Sequence, residues 1–301
     1  MLSIERLRTL VEVAERGSIN AAAQSLNITQ SAASQQLAKF AKEVGSDLLT
    51  PAGRGVALTD TGHLLVSRGK TILAMIADLE NDAVSMSQEV VGELRIGAFS
   101  SVARVVLPDA LADLQTRHAR LWVRVVVNEP EDLLPALMGR ELDLVVVESW
   151  PKVQRQLPTG VVSTFLYRDR EDVALPASHP LAQRDSVNLP EIAALPWTTW
   201  HRDGIYDSWI RLTLREHGVE PDIRFEVPDF GAQLEFVARG LAAAFVPRLA
   251  RIWAPDGVTL VPVVPALHRK IYAVHRRDNA RPNTRAGIQA LQHAFDNHSK
   301  L

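Results

Sequence analysis

The chain has 301 residues, 47% of them hydrophobic and 23% charged, enough for two or three domains with cores of their own. It contains no cysteine, which excludes disulfides and thiolate metal sites and fits a reducing compartment. The formal net charge is -2, and no run is apolar enough for a bilayer span or led by basic residues as a signal peptide is, so a cytoplasmic protein without a membrane partner is expected.

Leu7, Leu10, Val11 and Ala14 form a helical stripe that ends at Gly17. Ser18 reads as the N-cap of a second helix, whose alanines 21 to 23 let another helix cross at close range. Asn27 interrupts it. Thr29 is a second N-cap, and Ala33, Leu37, Phe40 and Val44 then make one apolar stripe that Gly45 closes. The opposite face carries Gln30, Ser31, Ser34, Gln35, Ala38 and Lys42 and is polar but hardly charged. Amides and short hydroxyls near a helix N-terminus can read base edges in a major groove, although a solvated face without a partner has the same pattern. Residues 1 to 58 hold six basic side chains against five acidic ones, so a single copy should hold DNA weakly and need a second.

Leu48 and Leu49, then a tip of Gly53, Arg54 and Gly55, then Val56 to Leu58 read as a two-stranded wing. Arg54 on such a tip suits a minor groove, or an ordinary exposed hairpin. From Thr59 to about Gln88, Leu65, Ile72, Leu79 and Met86 recur every seven residues, with Met75, Ile76 and Ala83 between them. A heptad seam of that length predicts a helix that pairs with a second copy.

From residue 92 strands and helices alternate, which predicts an α/β domain with parallel strands. The expected strands are 93 to 99, 121 to 127, 142 to 147, 172 to 176, 197 to 200, 223 to 227, 242 to 246, 258 to 263 and 270 to 275. Helices are expected at 103 to 117, 131 to 138, 209 to 217, 230 to 240, 247 to 253 and 284 to 297, the last docking back on the first half. Two lobes with a cleft between them follow. Ligands of such sheets bind beyond the carboxyl ends of the strands, which selects Ser100, Ser101, Asn128, Glu129, Thr199, Trp200, His201, Phe230 and Pro247. The serine pair, Trp200 and Phe230 suit an aromatic or otherwise amphiphilic carboxylate. No P-loop, no Gly-x-Ser-x-Gly elbow and no histidine pair at ligand spacing is present, so neither an enzyme nor a metal or other cofactor is expected.

The order of these parts resembles that of a LysR-type transcriptional regulator, over essentially the whole chain. The most specific stretch comprises Ala14, Glu15, Gly17, Ser18, Ala22, Ala23, Leu26, Thr29, Gln30, Ser31, Ala32, Ser34, Gln35, Leu37, Gly45, Leu48, Arg54, Val56, Leu58 and Thr59, which match the family in type and spacing. Leu107 with Pro108, Leu142 with Asp143, His179 to Ala182 and Gly240 to Pro247 extend the match. The resemblance implies an α+β multidomain chain: a winged helix-turn-helix (1 to 58), a linker helix (59 to 88) and a two-lobed effector domain like periplasmic-binding proteins. Subdomain I would comprise 89 to 163 with 268 to 301, and subdomain II 164 to 267. It implies that Thr29, Gln30, Ser31, Ser34 and Gln35 meet the major groove and Arg54 the minor groove. It further implies a homodimer through the linker helix, a homotetramer on an interrupted palindrome, and an effector that alters the geometry. Three positions depart from the family: Leu49 and Pro51 replace a usual Phe and Arg, Ala41 a usual Glu, and Ser31 a frequent Pro. Without residues 1 to 88, the remainder reads as a small-molecule-binding protein or a small enzyme.

Overall fold

A computed structural model of the chain describes residues 2–52, 55–85, 89–192, 194–218, 220–279 and 281–298, leaving aside the side chains of 77, 78 and 80–85. The chain forms two compact units, residues 1–87 with 138–141, and residues 88–137 with 142–301. Among the described residues no helix is long and apolar enough to cross a membrane.

In the N-terminal unit, α1 (Ile4–Arg16), α2 (Ile19–Ser25) and α3 (Gln30–Val44) are bounded by the residues that the sequence marks. The Ser18 hydroxyl accepts from the Ala21 N–H and that of Thr29 from the Ala32 N–H, so each cap satisfies an amide that the helix leaves open. Gly17 and Gly45 close α1 and α3 in the left-handed region, at φ 67° and 75°. Leu7, Leu10, Val13, Ala22, Leu37 and Phe40 pack into one core, and Ala22 is fully buried where a larger side chain would hold the helices apart. The wing, β1 (Leu49–Ala52) and β2 (Gly55–Leu58), is an antiparallel pair with Leu49 opposite Leu58. Its tip, with Arg54, lies outside the described residues.

Helix α4 (Asp60–Ser85) begins inside this unit. Val66 is buried in the core and Leu65 packs against it, so the first expected seam position is spent on its own domain. Close approach is required here: a Cβ on Gly62 would lie 2.2 Å from the Leu48 carbonyl oxygen, and one on Gly69 2.7 Å from Leu7. Farther along, Ile72, Met75 and Leu79 are 45%, 50% and 69% exposed. The Ala83 side chain and Met86 fall outside the described residues.

The second unit opens with β3 (Gly92–Ala98), α5 (Ser100–Val105), α6 (Leu107–Arg117), β4 (Leu121–Val127), α7 (Pro130–Met138) and β5 (Leu144–Ser149). The single helix expected over 103 to 117 is two, because Pro108 lacks an N–H and starts a helix more readily than it continues one. Then follow β6 (Val161–Pro176), β7 (Val187–Asn188), α8 (Leu189–Ile192), β8 (Pro196–Thr199), α9 (Ile205–Arg215) and β9 (Asp222–Glu226). The chain closes with α10 (Phe230–Ala238), β10 (Ala244–Pro247), β11 (Val258–Arg276) and α11 (Pro282–His298).

The main sheet corrects the expectation of a parallel one. Its order is β10-β6-β11-β5-β3-β4, and only the β3 pairings with β4 and β5 along it are parallel. Strand β11 runs antiparallel to both β5 and β6, and β10 antiparallel to β6. The sequence divides β11 in two and shows only the last five residues of β6; both are continuous, 19 and 16 residues long. Together they thread two cores. Leu166 and Ile271 belong to the core around Leu94, Leu107 and Phe295, whereas Val173 and Val261 belong to that around Trp150, Trp197 and Phe245. Their register shifts between Pro262 and Leu267, opposite Asp172 and Glu171. Helix α11 docks on the first of these cores through Ala290, Leu291 and Phe295, as expected.

Asp143, just before β5, ties this half together. Arg95 Nε and Nη2 reach its carboxylate at 3.0 and 2.9 Å, and Arg281 Nη2 at 2.6 Å. Burial alone would raise its pKa, but the two guanidinium groups hold the carboxyl below the usual aspartate value.

Candidate functional site

Two features of the fold can bind something. The first is the outer face of α3, where Thr29, Gln30, Ser31, Ser34 and Gln35 are all exposed. The Thr29 hydroxyl is committed to its cap, with Ala32 N at 3.1 Å. Its carbonyl accepts from the Ala33 N–H at 3.0 Å. Among the described residues, Gln30, Ser31, Ser34 and Gln35 have no side-chain hydrogen bond within the chain. By contrast Gln36, one position on, turns inward and accepts from the buried Thr9 hydroxyl. One turn of helix therefore sorts its amides into structural and unoccupied ones.

The second feature is a cavity of about 270 Å³ in the C-terminal unit. It lies where the sheet rule places it. Phe99 and Ser100 follow β3, Asn128 and Glu129 follow β4, Glu148 is the last but one residue of β5, Trp200 and His201 follow β8, and Phe230 opens α10. Of the nine residues selected from the sequence, Ser100, Asn128, Glu129, Trp200, His201 and Phe230 line it.

Three do not. Ser101 is fully buried, with its hydroxyl accepting from Arg269 Nη2 at 2.8 Å, so the expected pair of ligand-facing serines is reduced to one. Thr199 is fully buried beneath α10, where its carbonyl accepts from the Val227 N–H at 2.9 Å. Pro247 ends β10, paired with Glu171, and caps the following 3₁₀ turn.

The wall is aromatic. The Trp200 and Phe230 rings lie 4.6 Å apart and tilted, and Tyr206 meets Phe230 edge-on at 6.0 Å. The Tyr206 hydroxyl donates to the Phe245 carbonyl at 2.6 Å, which fixes the ring and leaves its face to the cavity. At the floor Arg269 is 1% exposed and wholly committed: Nε and Nη2 to Asp169 at 3.1 and 2.8 Å, Nη1 to Glu148 at 2.6 Å, with its carbon 5.1 Å above the Phe99 ring. Surrounding carboxylates keep it charged despite burial. Glu171, on the same strand as Asp169 and fully buried, has no hydrogen-bond partner among the described residues, and burial pushes its carboxyl well up from the usual glutamate value. The second guanidinium of the lining, that of Arg155, is paired with Glu131 at 3.0 Å.

Glu129 stands apart. It lines the cavity without an ion-pair partner within reach among the described residues. Burial first, then the neighbouring charges of Glu148 and Glu131, push its carboxyl up to about 7, with Trp200 and Arg155 pulling it partly back. Sequence reasoning missed Phe99, Glu131, Asp132, Glu148, Arg155, Gly204, Ile205, Tyr206 and Arg269. Glu148 was within its reach, being one residue past the expected end of its strand. Arg269 was not, because nothing local distinguishes it from its neighbours Arg276 and Lys270.

A model of the LysR substrate binding domain matches residues 87–296, and one of the bacterial regulatory helix-turn-helix protein, lysR family, matches residues 4–63. The chain belongs to the LysR-type family of transcriptional regulators. It is 29% identical over 266 residues to the HTH-type transcriptional regulator TtuA of Agrobacterium vitis, covering 87% of this chain and 86% of that protein. A probable RuBisCO transcriptional regulator of Cyanophora paradoxa is 26% identical over 247 residues, 81% of this chain and 76% of that one. Full-length CbnR complexed with its target DNA shares the fold at a TM-score of 0.72 and 20% identity, over 97% of this chain and 100% of that one. A full-length OxyR variant from Pseudomonas aeruginosa does so at 0.72 and 19%, over 98% and 95%.

The α3 face of this LysR-type regulator thus sits in its helix-turn-helix DNA-binding domain, and the cavity in its effector-binding domain. DNA and a small molecule are its two kinds of partner. Among the described residues no group of three or more His, Asp or Glu side chains could hold a metal ion.

Proposed function

We propose that residues 1 to 58 read DNA through Thr29, Gln30, Ser31, Ser34 and Gln35 in the major groove and Arg54 in the minor groove. The observation that carries this reading is the α3 face itself: four exposed amide and hydroxyl side chains with no bond inside the chain, on the helix of a helix-turn-helix. Residues 59 to 88 join two copies through Ile72, Met75 and Leu79, whose exposure leaves an apolar stripe on α4 for a partner. Two such dimers form a tetramer on an interrupted palindrome, which compensates for the weak charge of each domain. A DNA partner supports a cytoplasmic location.

The cavity takes the effector. Residues 89 to 163 with 268 to 301 form one effector subdomain and 164 to 267 the other, joined by β6 and β11. A ligand that prefers one arrangement of these halves shifts the assembly between ways of holding DNA. The aromatic wall supports the amphiphilic part of the expected effector. The relatives it matches are named as transcriptional regulators, and a binding role without turnover fits that best.

Footprinting on the DNA upstream of the protein's own gene, with wild type beside Gln30→Ala, tests the reading. A wild-type footprint that the variant loses is expected. No footprint at low salt over several such fragments would overturn it.

A further inference from the structure

The charge of the effector cavity has a sign, and it disagrees with a carboxylate ligand. Four carboxylates line it, those of Glu129, Glu131, Asp132 and Glu148, against two guanidinium groups. Both guanidinium groups are spent. Arg269 is held by Asp169 and Glu148, and Arg155 by Glu131. Arg155 does leave its Nε without a partner, but its positive charge is already balanced.

A carboxylate would then have the N-terminus of α5, a helix of only six residues whose Ser101 hydroxyl is taken by Arg269, and two N–H donors, Trp200 Nε1, which is neutral, and Arg155 Nε, whose charge is already balanced. What the cavity has in surplus is negative charge, at Glu129 and Asp132, beside Phe99, Trp200, Tyr206 and Phe230. Aromatic faces carry negative potential and attract cations, as the Arg269 guanidinium over Phe99 already demonstrates inside this site.

We propose that the effector is an organic cation, an ammonium or amidinium group on an apolar body, with its charge at Glu129 and its body against Trp200, Tyr206 and Phe230. The inference rests on the cavity being the effector site. It explains why a half-buried carboxylate is kept there without an ion-pair partner among the described residues: the ligand supplies it.

The groups facing Glu129 are Glu131 and Asp132 on α7, Glu148 on β5, Arg155 after it, Arg269 on β11 and His201 after β8. With its carboxyl pushed up to about 7 by burial and by Glu148 and Glu131, Glu129 must ionise to receive a cation. Cation affinity therefore rises with pH through neutrality, and carboxylate affinity falls.

Three probes of one shape separate the possibilities: phenethylamine, phenylacetate and 2-phenylethanol, titrated calorimetrically into the full-length protein. Phenethylamine is expected to bind best, roughly tenfold more tightly at about pH 8 than at about pH 6, and Glu129→Gln is expected to abolish that slope and weaken it at least tenfold. Should that variant fail to fold, the wild-type slope decides. Phenylacetate or 2-phenylethanol binding more tightly than the amine, with loss in Trp200→Ala, would overturn the cation and leave the cavity as effector site. Amine binding insensitive to both variants would overturn the assignment of the charge to Glu129. No binding by any probe would overturn both.

Discussion

The residues proposed to meet the major groove lie within seven positions of one another at the start of α3, whereas the cavity draws Phe99, Glu129, Glu148, Trp200, Phe230 and Arg269 from across residues 99 to 269. The first surface needs only a helix and its two caps to exist; the second needs four strand ends and two helix starts to converge. Their polar groups differ accordingly. On α3 the side chains are exposed and uncommitted, so their chemistry is that of the residue type. In the cavity most charges are already answered by others, and what remains for a ligand is the surplus at Glu129 and Asp132. A binding surface on one element can be read as a list, but one assembled from many must be read as a balance.

The largest expected effect would break this contrast at the level of assembly. Replacing Ile72 and Leu79 together by Asp should leave both units folded and dissociate the dimer, weakening DNA binding roughly 10²- to 10⁴-fold, as sedimentation and footprinting would reveal. A protein that stayed dimeric would place the interface elsewhere.

Next come the cores. Phe40→Ala removes a fully buried ring behind the α3 face and should cost about 3–5 kcal/mol, abolishing DNA binding. All six tryptophans lie at residue 122 or beyond, so their fluorescence should not register this change.

Arg269→Met does the reverse. It strands Asp169 and Glu148 without their cation, which should cost about 3–5 kcal/mol in the effector unit, read as an earlier tryptophan transition in urea. The smallest effect sharpens the account of α3: Thr29→Ala loses a cap worth about 1 kcal/mol, fraying the turn that presents Gln30 and Ser31. Its footprint should weaken at all positions alike, whereas Gln30→Ala should weaken it chiefly at one base pair.

Much of this was legible in the sequence because it is local. Thr29 and Gly45 bound α3 because a short hydroxyl satisfies an open amide and glycine tolerates a positive φ, both effects within four residues. The stripe of Ala33, Leu37 and Phe40 likewise names its own buried face. Of the nine residues selected by a rule that needs only the strand ends, six line the cavity. Strand β6 shows where such reasoning stops. Its run of Arg168, Asp169, Arg170, Glu171 and Asp172 has the composition of a loop, yet Asp169 and Glu171 alternate into the interior. They are tolerated there because Arg269, a hundred residues away, compensates Asp169, and because burial shifts Glu171 toward its neutral form.

The sequence by itself determined the helix-turn-helix, the wing, the exposed stripe of α4 and the alternation of the effector domain, since caps, periodicity and turn residues act over a few positions. Tertiary structure alone decided that Leu65 belongs to its own core and that β6 and β11 run unbroken through two cores. It alone decided that Ser101 serves Arg269 and that the effector cavity is left negative. Those outcomes depend on which charges and side chains meet after the chain has folded, and pairing across a hundred residues leaves no mark on local composition.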